Sequence, residues 1–245
     1  MHDTQNTFYT SISKYYSEIF PFNPMQLKFV ENKLGDLQGK HILDIGCATG
    51  ELALQLATGG AEVTGIDLNE DLLLQASNKK HDGLTFQQGN MLELDQDFEV
   101  QQFDAVLCFG NTLVHLNSKT LVLQMLESAN TVLKPDGQLL IQLLNYDHIC
   151  DNRVEALPLI NTENIAFIRR YKFAEDSDLI SFQTDLEIKS DNRVVSNETP
   201  LLALKSDVLK TLLEKSGFKN IRFYANFKQD AFGGKHLPLV VSCQK

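Results

Sequence analysis

LDIGCATG, residues 43–50, decides the fold. An apolar run, HILDI (41–45), stops at two glycines four residues apart, and an amphipathic stretch, ELALQLA (51–57), follows at once. That order reads as strand, tight loop and helix, one βα unit. Working outward, AEVTGID (61–67) is a second strand, and a helix through 71–80 follows Asn69 as its cap. LTFQQG (84–89), FDAVLCFG (103–110) and GQLLIQLL (137–144) are strands three to five. A helix over 119–133 precedes the last of them, and Lys134-Pro135-Asp136-Gly137 supplies the turn between the two. Alternation of this kind predicts a doubly wound, mostly parallel α/β sheet.

Beyond Asn145 the pattern changes. NIAFIRRYKF (164–173) and LISFQTDLEI (179–188), joined by AEDSD, read as an inserted antiparallel hairpin. A helix over 206–216 stopped by Gly217, then strands at 221–227 and 237–243, bring the main sheet to seven strands. The aromatic N-terminus (Phe8, Tyr9, Tyr15, Tyr16, Phe20, Phe22) is a helical segment over the sheet edge, broken by Pro21 and Pro24 before a helix at 25–34.

Bulk composition narrows the function. The 245 residues are 43% hydrophobic and 22% charged, enough for one large core. A net charge of −10 and a pI near 5 argue against a phosphate-neutralising surface, so no nucleic-acid partner is expected. No apolar run approaches a membrane span and the polar first residues do not resemble a signal peptide, so the expectation is a cytoplasmic protein with no membrane partner. Cys47, Cys108, Cys150 and Cys243 are too scattered for a disulfide framework or a metal site.

A glycine loop that opens a helix brings backbone N–H groups close to a ligand. Gly46 and Gly50 permit that approach, with the small Ala48 between them, and Asp44 at the strand end can organise the loop or face a cation. Asp67, ending the next strand, is placed to accept hydrogen bonds from two ribose hydroxyls. A dinucleotide fold has a similar layout, but the GxAxG spacing lacks the further glycine step that receives a pyrophosphate. A nucleoside without phosphates fits better, and a nicotinamide oxidoreductase is disfavoured.

Four further segments complete an ordered set: GIDLNEDLL (65–73), GNM (89–91), FDAVLCFGNTLVHL (103–116) and LKPDGQLLIQ (133–142). Together with the first loop they resemble the class I S-adenosylmethionine-dependent methyltransferases over residues 40–145. The resemblance implies a Rossmann-like methyltransferase fold, with S-adenosylmethionine as cofactor, S-adenosylhomocysteine as product and no metal. It also implies that the backbone at Gly46, Cys47 and Ala48 faces the methionine part, and that Asp67 holds the ribose and Leu68 packs on the adenine. Asn90 and the Met91 backbone would read the adenine ring, Phe109-Gly110 would hold the ammonium end, and Tyr15 or Tyr16 would close over the ligand.

CFGNTLVHL with NYD (145–147) and NFK (226–228) is similar to the glycine and sarcosine N-methyltransferases. That group carries an arginine where this chain has Leu144. Arg169 or Arg170 on the hairpin is a candidate replacement, and Arg170 is taken as substrate-binding.

The division along the single domain of 1–245 is then a helical lid (1–38), a cofactor-binding core (39–145), inserted strands over the substrate site (146–200), and a last helix with a strand pair (201–245). Methyl transfer is an in-line displacement whose main demand is alignment. Asn111, His115 and Tyr146 are the catalytic candidates, His115 as a base or as a packing residue. Asn111, Asn145 and Tyr146 are expected to line the substrate site at the strand ends. Asp147 is either on the same rim or a helix cap. The substrate is expected to be a small molecule, with an amine acceptor first. O-methylation and a non-catalytic cofactor-binding module are the alternatives. The hairpin face is open to use as a homodimer surface.

Overall fold

The computed structural model describes residues 2–175 and 177–245. Its strands, in chain order, begin with β1 (His41–Ile45), β2 (Glu62–Asp67), β3 (Leu84–Gln88), β4 (Phe103–Cys108) and β5 (Leu133–Leu144). An inserted group follows, β6 (Ile160–Asn161), β7 (Ile165–Phe173), β8 (Leu179–Ile188) and β9 (Arg193–Leu202), and then β10 (Lys219–Tyr224) and β11 (Pro238–Gln244). The helices are α1 (His2–Ile12), α2 (Tyr16–Ile19), α3 (Pro24–Leu34), α4 (Glu51–Thr58), α5 (Glu70–Ala76), α6 (Leu94–Asp97), α7 (Lys119–Val132), α8 (Tyr146–Asp151) and α9 (Ser206–Lys215).

The main sheet has the order β3-β2-β1-β4-β5-β11-β10. β1 to β5 are mutually parallel, and β11 runs antiparallel between β5 and β10. Chain order reverses at β1/β4, the place where an open α/β sheet leaves a crevice outside its carboxyl ends. Strict alternation along β5 explains the two-sided core. Leu139, Ile141 and Leu143 join Val122, Met125 and Leu126 of α7 on one face, while Leu140 joins Phe29 of α3 and Leu56 of α4 on the other.

Helix starts follow their caps. Asn69 Oδ1 accepts from Leu72 N–H at 3.0 Å, and Ser118 Oγ accepts from Leu121 N–H at 3.2 Å. The Asn69 amide also reaches Asn6 and Thr10, so the cap of α5 anchors α1.

The structure departs from the sequence reading in three places. Residues 134–137 lie inside β5 as an irregularity in its pairing with β4, with Asp136 at φ 65°, because the strand starts directly from the end of α7. The hairpin is part of a four-stranded sheet, β6-β7-β8-β9, whose fourth strand, the long β9, gives no sequence signal because RVVSNETP is polar and carries Pro200. The AEDSD turn includes Asp176, which lies outside the described residues. Finally, the N-terminal segment packs on the inserted sheet, with Phe8, Ile12 and Ile19 among Ile165, Phe167, Leu186 and Ile188. Burying Phe8 and Ile12 is worth about 1.5–3 kcal/mol each.

Among the described residues no helix is long and apolar enough to cross a membrane.

Candidate active site

Two adjoining cavities lie at the carboxyl ends of the central strands. The smaller is lined by Gly46, Ala48, Asp67, Leu68, Gly89 and Met91, and the larger cleft, about 780 Å³, by Asp44, Cys47, Thr49, Phe109, Gly110 and Gln142. Gly46, Ala48, Tyr9 and Tyr16 border both.

The loop after β1 owes its shape to a chain of hydrogen bonds. Gly46 and Cys47 N–H both donate to Ile66 O, and Ala48 N–H donates to Asp67 Oδ2 at 2.9 Å. Gly46 (φ 69°) cannot carry a side chain, since its Cβ would stand 2.7 Å from Thr112. Gly50 (φ 76°) is the N-cap of α4 and does not line either cavity; its Cβ would meet Phe86 at 2.4 Å. Ala48 sits at φ 49°, a left-handed conformation that costs roughly 1–2 kcal/mol for a non-glycine residue and is offset by the bond to Asp67.

Two carboxylates face these cavities from inside the protein. Asp67 Oδ1 accepts from Asn69 N–H and Oδ2 from Ala48 N–H, which leaves further lone pairs on both oxygens. Burial nevertheless raises its pKa, against the lowering effect of those N–H groups. Asp44 is only 4% exposed and accepts no hydrogen bond from a described residue. Burial, and then the neighbouring Asp67, push its pKa up to about 7. Burial likewise raises the Cys47 thiol and the Tyr9 and Tyr16 phenols.

The remaining sequence candidates divide clearly. Leu68, Met91, Phe109, Gly110 and Tyr16 line the cavities. Asn90 does not: its Oδ1 accepts from Leu92 N–H and its amide donates to Glu93, a turn-forming arrangement. Asn111, His115 and Tyr146 are not on the cavity walls either. Asn111, at φ 66°, accepts from Leu144 N–H and donates to Tyr146 OH, so both ends of its amide are spent within the fold. Tyr146 is fully buried and burial raises its phenol. His115 lies behind Tyr9, whose hydroxyl pairs with Nε2 at 3.0 Å, and burial pulls the imidazole down to about 4. It is neutral at physiological pH.

Asn145 caps α8 through His148 N–H and donates to Gly234 O and His236 O. Asp147 does not cap the segment that follows it, whose cap is Asn145; its carboxylate accepts from Ser206 N–H at the start of α9. Arg170 turns to the outer face of β7 and pairs with Asp185, whereas Arg169 lines the cleft.

Sequence reasoning missed Tyr9 and Gln142 as wall residues. Gln142 Oε1 accepts from Gly110 N–H, and the one signal for it was a glutamine interrupting the apolar run LLIQLL. Among the described residues no group of three or more His, Cys, Asp or Glu is placed to hold a metal.

A doubly wound seven-stranded sheet with a glycine loop after its first strand, an acid ending the second and a crevice between them defines the class I methyltransferases. The comparisons agree. Residues 36–198 match the family described as "Methyltransferase domain". A provisionally named methyltransferase of Geobacillus sp. (strain WCH70) is 30% identical over 238 residues, 91% of this chain and 94% of that protein. The ubiquinone biosynthesis O-methyltransferase of Coxiella burnetii (strain RSA 493) is 35% identical over 128 residues, 50% of this chain and 51% of that one. An S-adenosylmethionine-dependent methyltransferase from Clostridium acetobutylicum ATCC 824 superposes with a TM-score of 0.80 at 15% identity, covering 96% of this chain and 98% of that chain. The chain belongs to the methyltransferase domain family and is an S-adenosylmethionine-dependent enzyme of that class.

Proposed function

We propose that the enzyme methylates an amine nitrogen of a small molecule held in the cleft of about 780 Å³. The observation that carries this reading is where His115 stands. Paired with Tyr9 and held neutral down to about pH 4, it is not in reach of the cleft as a base, and the phenols bordering the cleft are pushed up by burial. A hydroxyl acceptor needs its proton removed before or during attack. An unprotonated amine attacks with the lone pair it already has.

The wall residues suit the cofactor. Asp44 is a buried carboxylate without a partner, aimed into a cavity, and it matches the cationic ammonium end of the methionine part. Asp67 keeps acceptor capacity for the two ribose hydroxyls, with Leu68 and Met91 beside it as apolar surface for the adenine. The first-turn N–H groups of α4, which Gly50 leaves uncapped, suit the carboxylate end. Bound there, the cofactor supplies a methyl group on a positively charged sulfur. This chain's part is to exclude water beneath Tyr9 and Tyr16 and to align the acceptor past Gly110, where a Cβ would meet Thr112 Oγ1 at 3.9 Å.

A second reading, O-methylation, is favoured by the Coxiella relative. Transfer of a deuterated methyl group to a mixed panel of small amines and alcohols, with products resolved by mass spectrometry, separates the two. Labelled N-methyl products are expected. Labelled ethers or esters without N-methyl products would remove the amine reading.

A further inference from the structure

The pair Arg169 and Arg170 separates into two environments across one strand. Arg170 points outward and is neutralised by Asp185. Arg169, on the same face of β7 as Phe167 and Tyr171, points inward and forms no salt bridge with any described residue. Its Nη2 donates to Pro158 O at 2.7 Å, and its Nε is buried without a partner.

Arg169 is not alone in this. Tyr171 OH, two residues along the same face, is also buried and without a well-formed hydrogen bond, its phenol turned toward the Tyr146 hydroxyl. So is Thr184 Oγ1, on the residue directly opposite Arg169 in the β7/β8 ladder and therefore on the same face. Among the described residues these are three of the four buried side-chain polar atoms that lack a hydrogen bond. Buried polar groups are nearly always satisfied, because leaving one bare costs about 1–3 kcal/mol. The three atoms lie on one face of the inserted sheet, and of the three residues Arg169 borders the cleft, so its guanidinium marks a place built for an acceptor of several hydrogen bonds. A carboxylate is such a group, with four lone-pair sites and a charge opposite to that of Arg169.

We infer that the methyl acceptor is an anionic small molecule, an amine bearing a carboxylate that is seated against Arg169 under the inserted sheet. This rests on the amine reading above and adds the acceptor's charge. Two carboxylates compete for the position, the acceptor's and the cofactor's own. The cofactor's has a place at the uncapped N-terminus of α4, beside Thr49 and Leu52 of the cleft lining. Arg169 stands on the inserted sheet, outside the cofactor-binding strands, and is left for the acceptor.

The test uses the full chain saturated with S-adenosylhomocysteine and matched probes. They are glycine, β-alanine and 4-aminobutyrate against their amides, and glycolate and 3-hydroxypropionate against theirs, with binding followed by calorimetry. At least one amino acid should bind ten-fold or more tightly than its amide. Arg169→Met should abolish that preference and Arg169→Lys should restore part of it, with S-adenosylhomocysteine affinity within two-fold of the parent in both variants. The same affinity reports that each variant is folded. If no carboxylate binds better than its amide, or Arg169→Met leaves the preference intact, the inference fails. A ten-fold loss of S-adenosylhomocysteine affinity in Arg169→Lys would give the guanidinium to the cofactor, and it fails again. A carboxylate preference confined to the hydroxy acids would keep the anion seat on Arg169 while removing the amine from both proposals.

Discussion

The floor and the roof of the cleft are built by different means. The floor is backbone and two carboxylates, set by adjacent parallel strands: β1 pairs with β2, and Ala48 and Asp67 are joined by one hydrogen bond. The roof is side chains from distant parts of the chain. Tyr9 meets His115, and Asn197 of β9 donates to Ser11 of α1 at 2.9 Å. A floor made from neighbouring strands tolerates little change, since its loop is held by successive hydrogen bonds to Ile66 and Asp67. A roof of docked segments can open and reclose, because each contact is separately breakable. The contrast assigns cofactor affinity to the floor and ligand retention and acceptor choice to the roof.

The largest effect should come from the floor. Asp67→Ala removes the proposed ribose acceptor and the two N–H contacts that shape the loop. Hydrogen bonds to a charged group are worth about 1.5–3 kcal/mol, so cofactor affinity should fall roughly 10- to 100-fold in calorimetry. An unchanged affinity would mean that the ribose lies elsewhere.

Asp44 sharpens the same side through pH. Its folded pKa, about 7, lies above the ordinary 3.8, so in the free protein its contribution to stability is present below about pH 4 and is lost as pH rises through 7. A cationic ligand reverses the preference by drawing the proton off. Cofactor affinity should therefore rise about five-fold between pH 6 and 7 and level off above pH 8. Asp44→Asn should bind weakly at every pH, and a slope that survives in that variant would assign the titration to another group.

Asn111 tests where the boundary between scaffold and site runs. The sequence places it at the substrate, while the structure shows its amide tying Leu144 to Tyr146. Asn111→Ala loses both bonds and puts alanine at φ 66°, which should cost about 1–3 kcal/mol and lower the melting temperature by several degrees. Cofactor affinity should stay within two-fold. A variant that melts normally but turns over slowly would return Asn111 to the substrate site.

How much of this was legible follows the same division. The five parallel strands, the cap at Asn69 and the placing of Gly46, Ala48 and Asp67 follow from local patterns, because period-2 runs, turn residues and cap chemistry act over a few residues. β9 was lost because its polar, proline-bearing sequence offers no apolar alternation. His115 was ambiguous for another reason: whether an imidazole faces a cleft or lies behind a phenol is decided by where α1 docks, more than a hundred residues away. Arg169 and Arg170 show the limit most sharply. Neighbours in a strand take opposite faces by necessity, yet which face is inward depends on the packing of Phe8 and Ile12 against Phe167.

The smallest expected effect tests the roof itself. Tyr9→Phe keeps the ring that borders both cavities and its edge contact with His115, but it deprives Nε2 of its hydrogen bond. His115 Nδ1 is already unpartnered, so the variant leaves a buried imidazole with no hydrogen bond at either nitrogen. The cost, about 1 kcal/mol for a neutral pair, falls on the closed position of α1, because His115 is fixed on the 3₁₀ turn Thr112–His115 and α1 is the docked partner. Bound cofactor should leave two- to five-fold faster in stopped-flow displacement, with little change in melting temperature. A matching loss in cofactor association rate would instead mean that Tyr9 shapes the site before the ligand arrives, and the roof would then be part of the preformed floor.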